Sequence, residues 1–70
     1  MAANFTAVIQ QDQGWWIGWI EEVPGVNCQE ATLDKLLESL SATLREAIEM
    51  NRQEALAMAG PNYREVCISL

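Results

Sequence analysis

The chain contains no histidine and only two cysteines among its 70 residues. Histidine is the commonest metal ligand and general base near neutral pH, so most acid–base and metal chemistry loses its usual residue. Cys28 and Cys67 are far apart in the sequence, whereas a zinc site needs several closely spaced ligands. We therefore predict no metal and no cofactor. Two free thiols are expected, with one disulfide between them as the alternative.

Basic residues are scarce. Only four are present against ten acids, which gives a net charge of -6. Proteins that bind nucleic acid neutralise phosphates with lysine and arginine, so we expect no direct nucleic-acid partner. An acidic surface instead favours a basic protein partner, through long-range attraction and charge complementarity.

Long hydrophobic runs are also missing. No apolar stretch approaches the roughly 18 residues that span a membrane, and residues 1–8 lack the basic region of a signal peptide. We expect a cytoplasmic protein with no membrane association. Seventy residues predict a single domain over 1–70, close to the size at which an oligomer or a partner often completes the core.

Alternation of apolar and polar residues predicts strands on both sides of a helix. The predicted strands cover residues 4–10, 15–23 and 63–70, and the short segment 26–30 could pair as a third strand in the chain order. A loop of about four residues, 11–14, joins the first two. Val66, Ile68 and Leu70 share one face of the last strand, which we expect to be part of the sheet.

From Leu33 onward the spacing of apolar residues is that of a helix. Thr32 is the predicted N-cap, and Gly60-Pro61 is predicted to end the helix. An apolar stripe follows one side of this helix: Leu33, Leu36, Leu37, Leu40, Leu44, Ala47 and Ile48. The prediction is an α+β fold, a small antiparallel sheet with one long helix packed on one face, in the order β-β-(β)-α-β.

The second predicted strand carries all three tryptophans of the chain. Successive side chains of a strand point to opposite faces, so Trp16 cannot share a face with Trp15 and Trp19. Gly18 would let the helix approach closely, which places Trp16 and Ile20 in the core. The tryptophan face, made of Trp15, Ile17, Trp19 and Val8, is then open; the alternative is that the helix covers it and Trp16 is exposed.

Two groups of carboxylates are candidates for a catalytic site. Glu21 and Glu22 are adjacent in a strand and point to opposite faces, so they cannot share a metal or a proton. Glu38, Glu46 and Glu49 are more typical of a solvated helix face than of a metal site. Without histidine, no nucleophile and base can be paired. The sequence predicts that the protein is not an enzyme.

One run of residues carries a family resemblance. Asp12, the stretch from Gly14 through Trp15-Trp16-Ile17-Gly18-Trp19 to Pro24-Gly25, then Gln29 and Thr32-Leu33-Asp34, together resemble the signature of HicB antitoxins. The resemblance implies a partial ribonuclease-H-like fold, β-β-β-α-β, without ribonuclease activity. It further implies that the chain binds and masks HicA, a small basic toxin that cleaves mRNA. Many HicB proteins add a C-terminal DNA-binding domain, which we do not expect here.

The predicted partner-binding residues lie along the second strand and directly after it. Trp15, Ile17 and Trp19 form an apolar anchor, and Glu21 and Glu22 form an acidic rim. Glu38, Glu46 and Glu49 could add contacts to basic residues of the toxin. Two other functions stay open: a self-associating domain that forms a dimer or tetramer, and a module that binds a small ligand or peptide on its tryptophan face.

Overall fold

A three-stranded antiparallel sheet and one long helix make up the computed structural model, which describes residues 4–70. Strands β1 (Ala7–Asp12), β2 (Trp15–Ile20) and β3 (Asn27–Glu30) lie side by side in that order. Helix α1 (Leu33–Ala59) follows them and packs on the sheet mainly through β2 and β3. The predicted α+β class, with one helix on one face of a small sheet, is confirmed.

The β1–β2 hairpin closes with a two-residue turn. Gln13 and Gly14 both have positive φ, 51° and 86°, which matches a type I′ turn, the type whose twist suits an antiparallel hairpin. The prediction of a four-residue loop was therefore wrong. Gln11 and Asp12 continue β1 and pair with Trp16 and Trp15.

Strand β2 is shorter than predicted because the chain turns before Pro24. Its ladder to β1 extends one bond further, from the Glu21 amide to the Thr6 carbonyl at 2.9 Å. The Ile20 amide donates to the Val26 carbonyl at 3.1 Å, which closes the turn and directs the chain into β3. Regular strand therefore ends at Ile20 and resumes at Asn27.

Helix α1 begins where its cap predicts. Thr32 has extended backbone dihedrals, and its hydroxyl accepts a hydrogen bond from the Lys35 amide at 3.2 Å. This bond satisfies one of the amides that have no partner in the first turn of a helix. At the other end, Gly60 has a positive φ of 74°, which an L-side chain rarely adopts, and the helix stops at Ala59 as predicted.

The core lies between the first half of the helix and β2. Leu36 and Leu40 are buried against Ile20 and Val26. A Cβ atom on Gly18 would lie 3.1 Å from Leu40 Cδ1 and 3.2 Å from Leu36 Cδ2. The helix therefore rests directly on this glycine, and the predicted inward register of β2 is confirmed.

The predicted fourth strand is wrong. Residues 63–70, here called the C-terminal segment, have no regular secondary structure and every one of them is exposed. The order is therefore β-β-β-α, without the closing strand that both the alternation and the HicB resemblance predict. Alternation supplies a local preference for extended backbone, but a strand also needs an edge to pair with, and within residues 4–70 this segment pairs with no edge.

The helix extends beyond the sheet, so its two halves differ. The proximal half (residues 33–47) supplies Leu36, Leu40, Leu44 and Ala47 to the core. The distal half (residues 48–59) contains no buried residue. Across residues 4–70, no helix has the combination of length and apolar character that spanning a bilayer requires.

Candidate protein-binding face

The tryptophan face is the side of the sheet that the helix leaves open. Trp15 is 48% exposed and Trp19 is 40% exposed, while Ile17 and Val8 beside them are half-buried. Because Gly18 contacts the helix and side chains alternate along a strand, these residues lie on the opposite side. The alternative prediction, in which the helix covers Trp15 and Trp19, is wrong.

Polar side chains flank the apolar residues on this face. Cross-strand pairing places Asp12 beside Trp15, and it places Gln10 and Gln29 on either side of Ile17. Trp19 lies between Val8 and Asn27. The central strand is therefore aromatic and aliphatic while its neighbours are mostly polar. This arrangement resembles the apolar centre and polar rim of a protein interface.

Asp12, Asn27 and Gln29 were not among the predicted site residues, yet the register places them on the tryptophan face. The length of the hairpin turn is the signal that would have placed Asp12 on this face. A two-residue turn at Gln13 and Gly14 extends β1 to Asp12, but Gln-Gly is not one of the usual type I′ pairs. The side chains of β3 follow once its register against β2 is known.

Trp16 lies on the helix side and packs partly buried against the core. Its neighbour in β3 is Glu30, whose carboxylate accepts a hydrogen bond from the Ser39 hydroxyl at 2.7 Å. On the same side, Cys28 Sγ lies 3.6 Å from Thr43 Oγ1. These contacts join β3 to the proximal half of the helix.

Glu21 and Glu22 follow β2 directly and are both exposed. One carboxylate oxygen of Glu22 accepts a hydrogen bond from the Thr6 amide at 2.8 Å, and this bond lowers the pKa of Glu22 below its ordinary value. Glu22 thus fastens the chain before β1 as well as supplying a charge near the face. The Glu21 side chain forms no hydrogen bond or salt bridge within residues 4–70.

The helix acids Glu38, Glu46 and Glu49 are also exposed. Glu49 accepts a hydrogen bond from Gln53 at 3.2 Å and lies 3.8 Å from Arg52. Glu46 and Glu49, with Arg45, Met50 and Gln53, line an open depression of about 500 Å³ along the helix. A surface ion pair of this kind contributes little to stability. The arrangement is that of a solvated helix face.

The part of the chain that the structure describes offers few reactive groups in combination. Residues 4–70 contain no cluster of three or more carboxylates and thiols that could hold a metal ion. Cys28 is half-buried, Cys67 is exposed, and both are free thiols. The tryptophan face itself presents apolar side chains with a polar and acidic border.

Comparisons with protein-family models, with curated proteins and with solved structures give no match to this chain. The likeness to HicB antitoxins therefore stays a prediction that depends on the residues of β2, the Pro24-Gly25 turn and the helix start.

Proposed function

We propose that this chain is a non-catalytic protein-binding domain, an antitoxin that binds and masks a small basic mRNA-cleaving toxin of the HicA type. The observation that carries the proposal is the tryptophan face. Two large aromatic side chains, Trp15 and Trp19, are 48% and 40% exposed on the face that the helix leaves uncovered, with Ile17 between them along β2. Exposed apolar patches with a polar border are typical of protein interaction sites.

The charge of the chain supports a basic partner. Ten acids against four basic residues give a net charge of -6, and Asp12, Glu21 and Glu22 lie at the two ends of β2 next to the tryptophans. A protein that binds RNA carries positive charge, so an acidic border around an apolar centre attracts it and competes with RNA for the same surface. A cytoplasmic location is part of this proposal because mRNA is cleaved there.

The test is binding to a small basic protein encoded next to this chain, prepared as a catalytically inactive variant. Trp19→Ala should weaken binding by about 2 kcal/mol, or about thirtyfold, if Trp19 is an interface hot spot. Isothermal titration calorimetry measures the change. Met58→Ala is the matched control because Met58 is also an exposed apolar residue, 88% exposed, but lies on the distal half of the helix.

A growth assay tests the masking itself. Co-expression with the wild-type chain should relieve the toxicity of the active neighbour, and Trp19→Ala should relieve it less. If no basic protein is encoded nearby, or if it binds the wild-type and Trp19→Ala chains equally well, the proposal is wrong.

We also propose that the chain self-associates as a dimer or tetramer, because its surplus apolar surface is not confined to the tryptophan face. Val66 and Ile68 of the C-terminal segment are 75% and 81% exposed. Domains of this size often gain stability by association. Sedimentation of the chain alone at micromolar concentration tests this, and a monomer at every concentration would contradict it.

A further inference from the structure

The outer edge of β1 has unpaired backbone groups. The Thr6 carbonyl faces β2, because it accepts a hydrogen bond from the Glu21 amide. Backbone groups alternate in direction along a strand, so those of Ala7, Ile9 and Gln11 point away from β2. Within residues 4–70, no strand lies on that side. Such an edge is a ready pairing site for another strand.

Exposed apolar side chains of β1 and of the helix lie on the helix side of this edge, and the strip between them is here called the groove. Ser39 and Thr43 contact β3, which places the opposite flank of the helix, with Leu37 and Ile48, towards β1. Leu37 and Ile48 are about two-fifths exposed. Phe5 and Ile9 are each 38% exposed, because the helix packs mainly on β2 and β3.

The C-terminal segment has the pattern that fits this groove. In extended conformation, Val66, Ile68 and Leu70 would share one face while Cys67 and Ser69 share the other. The chain's own segment does not occupy the groove. Arg52 on the distal half of the helix donates two hydrogen bonds, each 3.2 Å, to the Glu65 carboxylate, and the residues after Glu65 are exposed.

We propose that the C-terminal segment of one copy pairs with the edge of β1 in a second copy, with Val66, Ile68 and Leu70 covering the groove. The inference rests on the self-association proposed above and names the surfaces that produce it. Two copies exchanging segments about a twofold axis would satisfy both edges at once. Residues 5–11 and 66–70 carry no charged side chain, so the pairing avoids the repulsion expected between two acidic chains.

The first experiment compares Ile68→Glu with Ser69→Glu by analytical ultracentrifugation. Both substitutions add the same charge at neighbouring exposed positions, so neither should change the fold of the separate chain, which circular dichroism checks. In the paired segment, Ile68 faces the groove and Ser69 faces the other side. Ile68→Glu should raise the dissociation constant of the dimer about tenfold or more, because it places an unpaired charge among apolar side chains. Ser69→Glu should raise the dissociation constant by a factor severalfold smaller than Ile68→Glu does.

The second experiment uses Cys67, which would lie on the same face as Gln10 of β1 and not on that of Gln11. In a Cys28→Ala background, Gln10→Cys should form an intermolecular disulfide with Cys67 under mild oxidation. Gln11→Cys is the matched control and should form far less, because its side chain points to the opposite face. Non-reducing electrophoresis of each purified variant separates the two results.

The outcomes distinguish the exchange from self-association in general. A dimer that withstands Ile68→Glu but dissociates with Trp19→Glu overturns the segment exchange, and self-association then stands through the tryptophan face. A wild-type chain that is monomeric at every concentration overturns both the segment exchange and self-association. The salt dependence distinguishes self-association from toxin binding. Pairing of uncharged segments should persist at high salt, whereas attraction between an acidic and a basic protein should weaken.

Discussion

The two halves of the helix have different surroundings. The proximal half contains Leu36 and Leu40, both buried, and is capped by Thr32. The distal half contains Ile48, Met50 and Met58, all exposed, and its described contacts with the C-terminal segment include the Arg52–Glu65 ion pair. Most helix stability in proteins comes from packing of an apolar face. Stability in this chain is therefore concentrated where helix and sheet overlap.

The largest expected difference is between the stability losses of Leu36→Ala in the proximal half and Met58→Ala in the distal half. Leu36 is fully buried and Met58 is 88% exposed. Leu36→Ala should lower the free energy of unfolding by about 3 kcal/mol through lost burial and a cavity. Met58→Ala should change it by less than about 0.5 kcal/mol. Urea denaturation followed by circular dichroism measures both, and equal losses would show that the distal half is covered in solution.

Gly18 tests how closely the proximal half rests on the sheet. Gly18→Val would direct its side chain into Leu36, Leu40 and Ile9, whose atoms lie within 3.2 Å of the position of a Cβ. Overpacking of this kind should lower the free energy of unfolding by about 2 kcal/mol. Leu40→Ala would open space beside the valine, so the double variant should lose less than the sum of the single losses. Strict additivity in denaturation experiments would argue against this contact.

The smallest expected effect concerns Glu22, whose carboxylate holds the chain just before β1. Its pKa is lowered by the hydrogen bond from the Thr6 amide. The unfolded chain therefore binds a proton at higher pH than the folded one. The stabilisation from this bond is present above the ordinary glutamate pKa and is lost as the pH falls through the lowered value.

Two measurements check this prediction. NMR titration of the Glu22 carboxyl should give a midpoint below the ordinary value, and Glu22→Gln should make the free energy of unfolding slightly less dependent on pH in the acid range. A midpoint at the ordinary value would show that the Thr6 amide does not hold this carboxylate in solution.

Local sequence signals predicted much of the ordered part of the fold. Thr32 and Gly60 predicted both ends of the helix, and Gly18 predicted which face of β2 meets it. The hairpin loop was wrong because Gln-Gly is an unusual pair for a type I′ turn. The end of β2 was wrong because the turn starts at Glu21, before the proline that signalled it.

The candidate site was predicted in part. Alternation along β2 separated Trp15 and Trp19 from Trp16, and the structure places the first two on the open face. The border residues Asp12, Asn27 and Gln29 depend on the register of neighbouring strands. Register is a relation between distant parts of the chain, so one strand considered alone cannot supply it.

By itself, the sequence determined which side chains share a face and where the helix begins and ends, because alternation, caps and glycine act within a few residues. Only the tertiary structure decided which apolar residues are covered. A sheet of three strands shields the proximal half of the helix and leaves the distal half, the tryptophan face and the edge of β1 exposed. The C-terminal segment has the pattern of a strand, but a strand forms only where another edge pairs with it.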